Sequence, residues 1–135
     1  MTQESTIAER VVLAELGRKI GIPDLVMEDF DLVFAAASSV DAYCDQFEAL
    51  DLTPLERFHF MQLIVASLDL ALRDRVPLAR ANEQRVERLL LNDIASYKYI
   101  IDYWAHCREF RTQPMMNRLK KNARYVHTGG EAQFE

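Results

Sequence analysis

Glu56 and His59 stand three residues apart in the run Glu56-Arg57-Phe58-His59, the spacing that turns two side chains to one helix face as metal ligands. With Asp41, Asp45 or Glu48 contributed by a preceding helix, they would make a metal-binding helical bundle. Three features argue against that alternative. Glu56 already has a part in starting its helix, the di-iron design needs two such motifs where the chain has one, and ligands in a bundle core project from deeper than a first turn. His59 is therefore expected to be structural, hydrogen-bonded among aromatic residues, and no cofactor is expected.

The other chemically capable residues read in the same way. Asp102 and His106 are four apart, but on a helical wheel they lie opposite the apolar seam, where such a pair contributes only about a few tenths of a kcal/mol. Cys44 and Cys107 are too few for a disulfide framework, and each falls in or beside an apolar stripe, so inert buried thiols are expected. Leu16 to Ile22 followed by 24–30 has the glycine and apolar spacing of a helix-turn-helix. Its second element reads Asp24-Leu25-Val26-Met27-Glu28-Asp29, with three acids and no cation, so DNA is not an expected partner. No catalytic motif is recognisable, and a non-enzymatic role is expected.

Charge gives the stronger signal. From Ile20 to Glu56 no lysine or arginine occurs, while nine acids accumulate. Residues 1–107 carry a net charge of −8 and residues 108–135 a net +3, the latter through Arg108, Arg111, Arg118, Lys120, Lys121 and Arg124. Asp41, Asp45 and Glu48 fall at i, i+4 and i+7, on one flank of a helix. With Asp31 and Asp51 they are expected to form a partner-binding face for a basic protein surface, as an immunity protein or antitoxin, a secretion chaperone or an adaptor would use. The basic C-terminal stretch is expected to pack back onto the chain's own acids or those of a second copy.

Those residues need a frame. At 135 residues with 50% apolar content, the chain suits one globular domain, expected over 1–125 with a flexible tail at 126–135. The most apolar run, Phe58 to Leu68, is too short to span a membrane, and Met1–Ser5 lacks the character of a signal peptide. A cytoplasmic protein without membrane contact is expected.

The fold class expected is all-α, a bundle of four to five helices. The first runs from about Ile7 to Lys19 and stops at Gly21. The second runs from about Asp29 to Leu50, with a strand over part of 31–38 as the alternative. Thr53-Pro54-Leu55-Glu56 supplies hydroxyl cap, N1 proline and N3 glutamate, the start signal of a central helix to Leu72. A long helix is expected over 83–110, unless it splits near Asn92–Asp93, and a short basic helix over about 115–124. Val86, Leu90, Ile94, Tyr97, Ile101 and Trp104 repeat near the heptad period. The Tyr97, Ile101 and Trp104 part of that seam is the candidate self-association face of a homodimer.

Overall fold

The computed structural model describes residues 2–22 and 36–122, with side chains from Glu9 onward. These residues are all-helical, with no strand among them. The elements are α1 (Thr2–Ile20), α2 (Val40–Ala49), α3 (Pro54–Arg73), α4 (Ala79–Asn92), α5 (Lys98–Ala105) and α6 (113–122). Short 3₁₀ turns at Ala37–Ser39 and Ile94–Tyr97 lead into α2 and α5. The first part of the expected second helix, the 24–30 element, Asp31, Arg124 and the 126–135 tail lie outside the described residues.

α1 buries Leu13, Leu16, Gly17 and Ile20, the 3- and 4-residue steps of one helical face. Gly21 ends it at φ 84°, and the N–H groups of Gly21 and Ile22 both donate to the Gly17 carbonyl at 2.8 Å. α2 buries Val40, Tyr43, Cys44 and Phe47 by the same spacing.

α3 opens on the capping box expected of it. Thr53 Oγ1 accepts from the Glu56 N–H at 3.2 Å, and Glu56 Oε1 accepts from the Thr53 N–H at 2.9 Å. Twelve of its twenty residues are buried, around its whole circumference, and it packs against α1, α2 and α4. The core is thus built around α3, with Leu16, Phe47, Val86, Leu90, Tyr97 and Met115 arriving from the other helices.

The long helix of the sequence reading is broken. α4 stops at Asn92, Asp93 leaves helical geometry at φ −145° and ψ 54°, and a 3₁₀ turn intervenes before α5. A continuous rod of 28 residues would run about 40 Å, past the diameter of the domain. The break folds the second half of the seam back over the core. Tyr97, Ile101 and Trp104 are consequently 1–4% exposed, packed within their own chain. They offer no free face for a second copy, which corrects the self-association surface expected of them.

α3 and α4 are joined by a tight turn with an unusual occupant. The Val76 N–H donates to the Ala71 carbonyl at 3.0 Å and the Arg75 N–H to the Leu72 carbonyl at 3.3 Å. That is the paired pattern of a Schellman cap, whose left-handed position normally holds glycine. Here it holds Arg75 at φ 55°, and Leu78 follows at φ 71°.

Candidate functional site: an acidic ridge and its arginine

α2 turns Asp41, Asp45 and Glu48 outward on the flank beside its buried stripe, as their spacing requires. All three remain 51–66% exposed. They do not stand alone. Arg85 of α4 reaches across with Nη1 donating to Asp41 Oδ1 at 2.7 Å, and Nη2 to Asp45 Oδ1 at 2.8 Å and Glu48 Oε1 at 2.5 Å. The hydrogen bonds it donates to Glu48 and Asp45 raise the Arg85 pKa above its ordinary value. This corrects the expectation of an unbalanced patch: three carboxylates share one guanidinium, leaving a ridge of net −2. Each carboxylate engages Arg85 through one oxygen, and its second oxygen has no hydrogen-bond partner among the described residues. Asp51 is exposed beyond the end of α2, and its carbonyl accepts from Lys19 Nζ at 2.9 Å.

The metal alternative loses its geometry. Glu56 is buried, and besides closing the capping box its Oε1 accepts from Lys19 Nζ at 2.7 Å. Burial alone would raise the Glu56 pKa, but hydrogen bonds from Lys19 and the Thr53 N–H, with the Lys19 charge, outweigh it and hold the carboxyl low. His59 faces Gln62, with Nδ1 3.3 Å from Oε1, and meets Phe58 edge-on at 5.5 Å. Asp41, Asp45 and Glu48 are held by Arg85 instead of converging on this pair. Among the described residues, no three His, Cys, Asp or Glu side chains gather as a metal site would need.

Asp102 pairs with Lys120 at 3.6 Å, while His106 ends α5. Cys44 is buried beneath the ridge, and loss of water pushes its thiol up to about 12, so it stays protonated. The basic C-terminal stretch divides. Arg118 forks onto Glu87 at 2.9 and 3.2 Å, and Lys120 holds Asp102, so these cations do pack back onto the chain's own acids. Arg108 and Arg111 have no ion pair among the described residues.

Those two arginines belong to a feature that sequence reasoning missed. The end of α3, the 74–78 turn, the start of α4 and the 108–114 segment border a half-open cleft of about 660 Å³. Arg73, Arg75, Arg80, Arg108 and Arg111 line it, and among the described residues no acid does. The 108–114 wall is fixed by a buried carboxylate: Asp69 Oδ1 accepts from the Thr112 N–H at 3.0 Å and from Thr112 Oγ1 at 3.3 Å. The only hint in the sequence was three arginines within Arg73–Arg80.

No protein-family model matches this chain, and no curated protein or solved structure matches it.

Proposed function

We propose that this chain is a non-enzymatic interaction protein, a small helical bundle built around α3, whose α2 ridge docks on a basic surface of another protein. One observation carries the reading: three carboxylates are set in line by a single arginine, each with a second oxygen turned to no partner among the described residues. Holding those side chains in place before contact lowers the ordering cost of association. The residual charge of −2 still favours a cationic partner, although long-range steering is weaker than three bare acids would give. Immunity proteins, secretion chaperones and adaptors are the roles this surface suits.

Affinity capture from the source cell extract at low salt tests it, with the parent chain beside a triple variant, Asp41→Lys, Asp45→Lys and Glu48→Lys. A partner held by the parent, released by high salt and lost from the folded triple variant supports the ridge. An Arg85→Gln variant adds a second readout: without their arginine the acids lose the preset arrangement, so capture should weaken even though the ridge's net charge becomes more negative. Capture that is indifferent to the triple reversal sinks the proposal.

A further inference from the structure

The geometry points to the arginine cleft as a binding site for a small, multiply phosphorylated molecule, independent of the α2 ridge. A chain of net charge −5 gathers five of its sixteen basic residues around one cleft that no carboxylate of the described residues lines. Such crowding of like charge opposes folding unless something offsets it, and the described residues offset little of it. Arg80 holds Glu83 at 3.0 Å and Arg73 lies 3.8 Å from Asp74, both in solvent-exposed arrangements on the arginine side. Arg75, Arg108 and Arg111 have no carboxylate within ion-pair distance among the described residues. Glu109 neighbours Arg108 in sequence and is exposed, without an ion pair to it.

The placement of Arg75 adds a second, separate observation. It occupies the left-handed position of a Schellman cap, where glycine carries no strain and a side chain does. Strained backbone in a rigid turn is characteristic of ligand clamps, and here it falls on a cleft arginine. The opposite wall is equally fixed, since Asp69 anchors Thr112 between Arg111 and Gln113. The cationic groups therefore stand on preset backbone.

The size and chemistry select the ligand. A volume of about 660 Å³ lies within the usual span of small-molecule sites, roughly 300–1,000 Å³. Guanidinium groups meet phosphate oxygens through paired N–H donors, and five of them call for several negative charges within a short reach. A chain of two or three phosphates supplies that density, whereas a simple carboxylate does not. Leu72, Val76 and Phe110 give the cleft an apolar part, on which a ring attached to the phosphates can rest.

Titration calorimetry of the full chain at low salt with orthophosphate, tripolyphosphate and ATP tests the assignment. Saturable binding of tripolyphosphate and ATP is expected, with orthophosphate about tenfold weaker or more. Arg75→Gly and Arg111→Gln should each weaken tripolyphosphate binding about tenfold, the loss of a charge-assisted contact. Arg75→Gly relieves the turn, so its loss of binding cannot be ascribed to misfolding. Arg88→Gln, an exposed cation outside the cleft, should change affinity by less than about twofold. Equal affinity for orthophosphate marks an adventitious ion only and overturns the proposal. So does absence of saturable binding, an equal loss in Arg88→Gln, or binding of a single-stranded oligonucleotide that tripolyphosphate does not displace.

Discussion

Replacing Asp69 by alanine should cost this protein about 3 kcal/mol of stability. The side chain is 9% exposed and its partner Thr112 is fully buried. Its one oxygen accepts two hydrogen bonds, at 3.0 Å from a backbone N–H and 3.3 Å from a hydroxyl. A hydrogen bond to a charged acceptor contributes about 1.5–3 kcal/mol, and a buried N–H left without an acceptor costs about 1–3 kcal/mol. The hydroxyl recovers part of its share by rotating, which places the total near 3 kcal/mol. Asp69→Asn keeps a carbonyl acceptor and should lose only about 1 kcal/mol. Urea denaturation at neutral pH measures both, with an unchanged slope expected because the surface exposed on unfolding is the same. An alanine variant within about 0.5 kcal/mol of the parent refutes the anchoring role, since that is the scatter of an ordinary surface change. An asparagine variant as costly as alanine refutes the argument from the acceptor.

Four further outcomes are expected. Cys44, its thiol pushed up to about 12 by burial, should resist alkylation in the native protein at mildly alkaline pH and react only on unfolding, as mass spectrometry of labelled peptides would show. Glu56 is held below its ordinary value of 4.5, so it stabilises the fold above that value and the contribution disappears as pH falls through the lower, native one. Glu56→Gln should accordingly flatten the acid side of a stability–pH profile measured by denaturant midpoint. Arg75→Gly should raise stability by about 1 kcal/mol by removing left-handed strain, which urea titration would register. Tyr97→Phe should change stability by less than about 1 kcal/mol, because the buried hydroxyl makes no regular hydrogen bond among the described residues and has only the Arg57 guanidinium near it.

Local signals were legible and long-range ones were not. Thr53-Pro54-Leu55-Glu56 reports its own cap because every bond in it lies within three residues. Gly21 and the stripe of α2 are equally local. The break at Asn92–Asp93 was visible only as an alternative, since the polar pair interrupts the seam without dictating that the chain turn there. The seam itself was misassigned because periodicity shows that a face is apolar and not whose core it joins. Arg85 lies 37–44 residues from the acids it clasps, and Asp69 lies 43 from Thr112. The arginine cleft draws its walls from separate segments, so no single stretch carries its pattern.

Arg85 also makes the α2 flank asymmetric toward mutation. Any one of Asp41, Asp45 and Glu48 can be neutralised while two anions still hold the same cation, so individual substitutions there should leave little trace in stability. Removing the shared cation instead frees three like charges to repel one another along ten residues of helix. That flank is tolerant in its acids and brittle at its single hub, so the position least free to vary belongs to α4 and not to the helix that displays the charge.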